Sequence, residues 1–216
     1  MYGYGVKSTE PRRRNRRGEG GKLRDEIIAA AVELLDEEGD ERAITLRSVA
    51  RRIGIAAPSI YPHFPDQPAI MLAVVRQEFD QLTAALVAAV AKAGDDPVAR
   101  LTAACHAYLD LAATHPGRYR IMFGGLWMPD LGEGSVGQSD MDALGAETLQ
   151  TLVDLLGACV EAGRSTSTDL FGDAVALWLG LHGLAHQRIV VRYFPWPENL
   201  EGRMIAALAH LVMEES

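Results

Sequence analysis

The chain has few cysteines and no long apolar run, and each shortage excludes a class of protein. Two cysteines among 216 residues, Cys105 and Cys159, do not make a disulfide framework and predict reduced thiols in a cytoplasmic protein. The longest uninterrupted apolar run, Ala84 to Ala91, is far shorter than the ~18 residues of a membrane span. The N-terminus has no apolar stretch behind a basic start, so we expect neither an export signal nor membrane insertion.

Charge is present in ordinary amount but is unevenly distributed. Residues 1–65 carry 12 Lys and Arg against 10 Asp and Glu, whereas residues 66–216 carry 9 against 19. Five arginines fall within six positions: Arg12, Arg13, Arg14, Arg16 and Arg17. A glycine-rich stretch at 18–21 follows them, so we interpret residues 1–21 as a disordered basic arm that contacts nucleic acid, with a solvated tail as the alternative.

The spacing of apolar residues predicts helices along the whole chain, and no stretch alternates with the period of a strand, so we expect an all-α fold. Thr45 and Asp66 are helix N-cap signals, and Gly39, Gly54 and Gly94 are stop signals. The predicted helices span residues 22–38, 45–54, one or two turns over 58–64, 66–94, 97–115, 119–123, 140–162, 169–193 and 197–214.

A short helix, a glycine turn and a second very short helix form a helix-turn-helix outline. Its sequence from Thr45 to Phe64, TLRSVARRIGIAAPSIYPHF, resembles the DNA-binding domain of the tetracycline-repressor (TetR/AcrR) family. The resemblance implies a DNA-binding domain over 22–66 and a ligand-binding and dimerisation domain over 67–216. It also implies a homodimeric repressor that a small molecule releases from a palindromic operator.

Two further stretches resemble one C-terminal subtype of that family, which is named for a Trp/His/Gly signature. They are Trp178-Leu-Gly-Leu-His182-Gly183 and His115-Pro116-Gly117-Arg118-Tyr119. Two positions in or directly after the predicted DNA-binding domain (residues 22–66, hereafter the head) depart from the family pattern. Gln67 replaces a lysine that contacts phosphate, and Pro62 replaces an aromatic or basic residue. We expect the arginine arm to compensate, because arginine is attracted to a narrow minor groove.

Sequence-specific recognition needs phosphate contacts that set the register and base contacts that read the sequence. Arg47 is the one long donor in the first turn of its helix and is our candidate for a bidentate guanine contact. We expect the methyl and methylene groups of Ala56, Ala57 and Pro58 to contact thymine. The candidate phosphate donors are Thr45, Ser59, Tyr61 and His63, of which the last two fit packing equally well.

The helix predicted over 169–193 is apolar on more than one side, which predicts burial against its own domain and against a partner chain. The last helix would complete a four-helix dimer interface, and a buried helix of a monomeric bundle is the alternative. A set of aromatic, methionine and histidine side chains predicts an effector pocket. The alternative is that these side chains only pack in the hydrophobic core. They are Tyr108, Met122, Phe123, Trp127, Met128, Trp178 and His182. We expect a largely apolar effector, neutral or cationic because residues 66–216 are acidic, and no cofactor.

His182 and His186 stand four positions apart on one helical face, a spacing that can hold zinc. Gly183 occupies the position of the general-base glutamate of metalloproteases, and the sequence indicates no third ligand. It also has no nucleophile elbow, phosphate loop or dinucleotide fingerprint. We therefore expect no enzyme and no metal site, with a helical metal-binding protein or enzyme using this histidine pair as the alternative.

Overall fold

A computed structural model describes residues 20–125, 127, 129, 131, 134–191 and 193–212. The helices are α1 (Gly20–Glu38), α2 (Leu46–Ile53), α3 (Gln67–Lys92), α4 (Pro97–Thr114), α5 (Pro116–Phe123), α6 (Gln138–Asp142), α7 (Ala146–Glu161), α8 (Leu170–Val190) and α9 (Leu200–Leu208). Over these residues the only β pairing is an isolated bridge between Ser165 and Leu211. The predicted all-α fold is confirmed.

The chain divides into two compact units, of which the first ends at Ile70 and the second begins at Met71. In the first unit, α1 packs on α2. Gly39 ends α1 in the left-handed region at φ 69°, and its N–H donates to Leu35 O at 2.8 Å. Asp66 caps α3, because its Oδ1 accepts from the N–H of Ala69 at 2.9 Å. The stop and cap signals read from the sequence at these two positions are therefore confirmed.

The core of the second unit lies where α4, α7 and α8 pack against one another. Leu101, Cys105, Leu156, Leu177 and Leu181 are buried there, each on the apolar stripe of its helix. α8 also approaches α9 closely at Gly180, where a Cβ atom would lie 2.5 Å from Leu208 Cδ1. Gly180 therefore serves packing inside the chain.

Several predicted helix boundaries are wrong. α8 ends at Val190 rather than at 193, and α9 begins at Leu200 rather than at 197. Four further differences have a local cause. The helix predicted over 140–162 is divided into α6 and α7, because Gly145 between them adopts φ 72°. Pro116 opens α5, where a missing N–H has no cost, so α5 begins three residues before the predicted start. α9 ends at Leu208, since His210 has φ 50° and Leu211 pairs with Ser165. Gly20 and Gly21 belong to α1, whereas the sequence places them in the arm.

One stretch of the described residues, Gln138–Glu161, has the length and mean hydropathy of a membrane span. The turn at Gly145 divides it, and α7 buries Leu152, Leu156 and Cys159 in the core of the second unit. Core helices meet the same criterion, so this stretch is weak evidence for a membrane span.

Candidate nucleic-acid interface and effector cavity

The N-terminus of α2 is fixed by a reciprocal capping arrangement. Thr45 Oγ1 accepts from the N–H of Ser48 at 3.0 Å, and Ser48 Oγ accepts from the N–H of Thr45 at 2.8 Å. The hydroxyl of Ser48 also reaches Ala43 O at 2.6 Å. Thr45 remains exposed at the positive end of the helix dipole, which is the position that a phosphate contact requires.

The arginines of α2 differ in their surroundings. Arg52 Nη1 donates to Glu37 Oε1 at 2.9 Å and to Glu33 Oε2 at 3.3 Å, and Arg52 Nη2 donates to Glu37 Oε2. This pairing lowers the pKa of Glu37 and raises that of Arg52. Arg52 is therefore engaged with α1, whereas Arg51 and Arg47, the latter in the first turn of α2, are exposed.

The turn at Gly54 and the short segment after it, as far as Phe64, are predicted to read the DNA bases and are called the reading segment below. Gly54 ends α2 at φ 71°, in the left-handed region that glycine adopts without a Cβ penalty. A 3₁₀ turn over Ala57–Ser59 continues into hydrogen-bonded turns, in which the N–H of Phe64 donates to Ile60 O at 2.9 Å. Ile60 and Phe64 are buried, as expected for core anchors.

The two anchors turn the remaining side chains of the reading segment outward. Ala56, Pro58, Ser59 and Tyr61 lie on the accessible side of the segment, and 59% of the Tyr61 side chain is accessible. His63 is half-buried. Each predicted DNA-contacting side chain in the described part of the head is therefore at least partly accessible to a large ligand. The predicted contacts of Arg12, Arg13, Arg14, Arg16 and Arg17 lie outside the described residues.

Two further contacts in the DNA-binding domain were not predicted from the sequence. The guanidinium of Arg24 on α1 lies 5.0 Å from the centre of the Phe64 ring, a cation–π distance. Gln67 Nε2 donates to Glu41 O at 3.1 Å, so the residue that replaces the family lysine ties α3 to the turn before α2. Burial raises the pKa of Glu41. Neither contact has a local sequence signal, because each joins segments distant in the chain.

The second unit contains a cavity of about 480 Å³. Its lining runs from the buried side chains of Leu82, Tyr108 and Leu152 to exposed residues, among them Asp142, Gln150 and Phe171, and the cavity opens on this exposed side. Such a volume is in the usual range of ~300–1,000 Å³ for small-molecule sites. The lining is mainly apolar and aromatic, as a largely apolar effector would require.

Three of the predicted pocket residues line this cavity: Tyr108, Phe123 and Trp178. Met122 packs against the core, and Trp127 is half-buried in the loop after α5. Met128 lies outside the described residues. The sequence reasoning missed Phe79 and Phe171 in the lining.

His182 lies behind the cavity rather than in its lining. Its Nδ1 is 2.7 Å from the Tyr119 hydroxyl and 3.4 Å from that of Tyr108, and its ring centre is 5.0 Å from that of Phe123. Burial raises the pKa of both tyrosines and lowers the pKa of His182, to which the charge of His186 adds. The arrangement favours a neutral imidazole between two neutral phenols.

The histidine pair gives no metal centre in the described part of the chain. The ring centres of His182 and His186 are 6.5 Å apart and nearly parallel. No group of three or more potential ligands among His, Cys, Asp and Glu occurs within the described residues.

Solved structures resemble this fold over most of its length. A protein of unknown function from Rhodococcus sp. RHA1 matches with a TM-score of 0.71 and 25% identity, covering 90% of this chain and 95% of that one. The fatty acid degradation regulator FadR from Bacillus halodurans matches with a TM-score of 0.65 and 14% identity, covering 91% and 97%. The second likeness shows the fold alone.

A curated relative is the HTH-type transcriptional activator FasR of Mycolicibacterium smegmatis, 30% identical over 112 residues. The match spans half the length of each protein.

Two family models match the two parts of the chain. Residues 27–74 match the family model of bacterial regulatory proteins, tetR family, and residues 101–211 match the tetracyclin repressor-like C-terminal domain. The Trp/His/Gly subtype stays a prediction. The second match covers more than half of the chain, and the first covers the capped α2 and the reading segment that follows it. The chain therefore belongs to the tetR family of bacterial regulatory proteins, which are DNA-binding transcriptional regulators.

Proposed function

We propose that the protein is a cytoplasmic, homodimeric repressor that binds a palindromic operator and leaves it when a small, largely apolar molecule binds. The observation that carries the DNA-binding part is the accessible segment from Ala56 to His63, held on the buried side chains of Ile60 and Phe64. Buried anchors beneath an accessible face are what a reading element needs, because its side chains must keep their register against the base pairs.

Support for effector binding comes from the cavity of about 480 Å³ in the second unit. An effector acts by binding more tightly to the conformer that does not fit DNA than to the conformer that does. Its effect on DNA affinity equals that difference in affinity. The aromatic lining contributed by Tyr108, Phe123 and Trp178 supplies the apolar contact area for such binding.

A partner chain would cover an outward stripe on α8. Leu179, Gly183, His186 and Val190 follow one another at helical spacing, and the aliphatic side chains of Leu179 and Val190 are 53% and 62% exposed. Large aliphatic side chains in such a stripe favour a helix-to-helix contact. A Cβ atom at Gly183 would meet nothing within 4 Å, so this glycine leaves room for a second backbone. A two-fold contact through this stripe would place one head on each half-site.

The experiment is a footprint of the full chain on the DNA that flanks its own coding region. We expect protection of an inverted repeat with half-sites about one helical turn, ~34–36 Å, apart. Light scattering should give twice the 23.4 kDa of one chain. DNA of equal length with one scrambled half-site is the control. Protection of a single unrepeated site by a protein of monomeric mass would contradict the proposal.

Transcriptional activation is the second candidate, because the relative from M. smegmatis is named an activator. The two roles share the DNA-binding step and differ in its result. In-vitro transcription from the bound promoter separates them: added protein should lower the transcript level for a repressor and raise it for an activator.

A further inference from the structure

We propose that the cavity of the second unit takes a lipophilic cation, with one positive charge on an apolar body and with Asp142 as its counter-ion. The inference rests on the proposed effector response and adds the charge of the ligand. It follows from three observations: the charges in the lining, the composition of the segment that forms one wall, and the aromatic rings.

The lining offers a carboxylate and no cation. Among the described residues, Lys, Arg and His do not occur in the cavity lining, and Asp142 stands at the opening. The amide of Gln138 donates to Asp142 Oδ1 at 2.7 Å and holds the carboxylate in place. An anionic ligand would therefore lose its hydration beside a carboxylate, without gaining a positive partner.

The wall that contains Asp142 belongs to an acidic segment. Residues 134–163, all of which the structure describes, include five Asp and Glu residues and no Lys, Arg or His. Arg76 on α3 is paired with Asp140 at 2.7 Å. A small adjoining cavity of about 70 Å³ is lined by the same Arg76 together with Asp80 and Glu147, so carboxylates still outnumber the guanidinium and the local field favours a cation.

Aromatic rings give the cavity a second means of attracting a cation. Phe79, Tyr108, Phe123, Phe171 and Trp178 all contribute to the lining. The faces of such rings attract ammonium groups within ~6 Å and also pack against an alkyl or aryl body. A neutral apolar ligand would use the rings but would cover Asp142 without replacing its lost water contacts. A lipophilic cation would interact favourably both with the aromatic rings and with the carboxylate of Asp142.

The experiment compares three probes of equal chain length with the full-length protein by isothermal titration calorimetry. The probes are decyltrimethylammonium, decan-1-ol and decanoate, each below its micelle-forming concentration. We expect the cation to bind most tightly, about tenfold or more above decanoate. Added salt should weaken the binding of the cation and leave that of the alcohol unchanged, since only the first has a charge to screen.

Charge variants assign the effect to Asp142. Asp142→Asn should lower the affinity for the cation about two- to fivefold, the range for an exposed ion pair, and leave the affinity for decan-1-ol unchanged. Glu161→Gln is the matched control: it removes one charge from the same acidic segment at the far end of α7, outside the cavity lining. Asp142→Lys should reverse the preference between the cation and decanoate.

The outcomes separate the charge assignment from the proposed function. Preferential binding of decanoate or decan-1-ol, binding of none of the probes, or equal losses in Asp142→Asn and in its control would each overturn the assignment. The operator footprint tests the regulatory function independently of these probes. Cation binding that depends on Asp142 but does not change DNA affinity would support the assignment and contradict the effector response.

Discussion

Two arginines on the same short helix have different tasks because their neighbours differ. Arg52 forms ion pairs with Glu33 and Glu37 of α1, and these carboxylates neutralise its charge. Arg47 lies in the first turn of α2, away from these two carboxylates. An exposed ion pair contributes only ~0.2–1 kcal/mol to stability. The pairing of Arg52 therefore matters mainly because it withdraws one guanidinium from the surface that reads DNA.

We predict that Arg47→Ala costs ~1–3 kcal/mol of operator binding and relaxes the preference at one base pair in each half-site. Arg52→Ala is the matched control, since it removes the same side chain from the same helix and should leave base preference unchanged. Binding-site selection on both variants is the measurement. An unaltered preference in the Arg47 variant would remove this residue from the set that reads bases.

The second residue-scale prediction concerns the proton on His182. Burial and the charge of His186 lower its pKa, so the folded protein binds this proton less readily than the unfolded chain. Stability from this group is therefore present above the unfolded pKa of about 6.5 and is lost as the pH falls through the folded pKa. We predict a melting temperature that falls between about pH 7.5 and 5.5, and a smaller fall in His182→Gln.

His186→Gln tests the cause of that shift. Removing the neighbouring charge should raise the pKa of His182, as measured by NMR titration of its ring protons. His115→Gln is the control, because His115 is exposed and bonded to Thr114 on another part of the surface. A pH dependence of melting that is the same in His182→Gln as in the unaltered protein would show that another group carries it.

At the scale of elements, the turn between α6 and α7 depends on one glycine. Gly145 has φ 72°, and a Cβ atom there would lie 2.8 Å from Phe79 Cε1. We predict that Gly145→Ala destabilises the protein by ~1–3 kcal/mol, because it combines backbone strain with a clash against a cavity-lining ring. Thermal unfolding is the measurement.

Gly157→Ala is the matched control for that substitution. Gly157 lies inside α7, and an added Cβ would be in ordinary contact with Leu170 Cδ1 at 3.6 Å. Replacing a helical glycine by alanine should stabilise the protein by ~0.5–1 kcal/mol. Equal effects of the two substitutions would contradict the role assigned to the turn.

Helix ends could be predicted where one residue determines them. Thr45, Asp66, Gly39 and Gly54 act on their own neighbours, so their cap and stop signals are visible in the sequence and are found in the structure. The break at Gly145 was not predicted, because helices also contain glycines such as Gly157 and only tertiary packing distinguishes the two. The early end of α9 has the same origin, since it depends on the pairing of Leu211 with Ser165.

At the scale of the whole molecule, the sequence indicated which part of the chain is expected to bind DNA and which part an effector. It was less informative about which residues form the reading segment's surface and the cavity lining. The reading segment is continuous in the chain, so its accessible positions followed from a local pattern. The cavity combines residues from α3 to α8, and its lining depends on which helices are neighbours. Tyr108, Phe123 and Trp178 were expected from residue type alone, whereas Phe171 lines the opening although it looked like any apolar residue of α8.

The last prediction concerns the basic arm. If its five arginines lie on DNA, they release condensed counterions, and each phosphate contact adds ~0.9 to the slope of log K against log salt. Deleting residues 1–18 should flatten that slope by about two to four units per chain, because some arginines enter the minor groove or stay in solvent. α1 begins at Gly20, so the deletion leaves every described helix intact.

Salt titrations of operator binding by the full-length and shortened chains measure this effect. Equal melting temperatures and equal dimer mass are the controls that the fold has not changed. A second variant, in which Arg12, Arg13, Arg14, Arg16 and Arg17 are replaced by glutamine, keeps the length and should flatten the slope to the same extent. Parallel slopes would identify the arm as a solvated tail. Phosphate anchoring would then depend on the head, where Gln67 is bonded to Glu41 and Pro62 offers no donor.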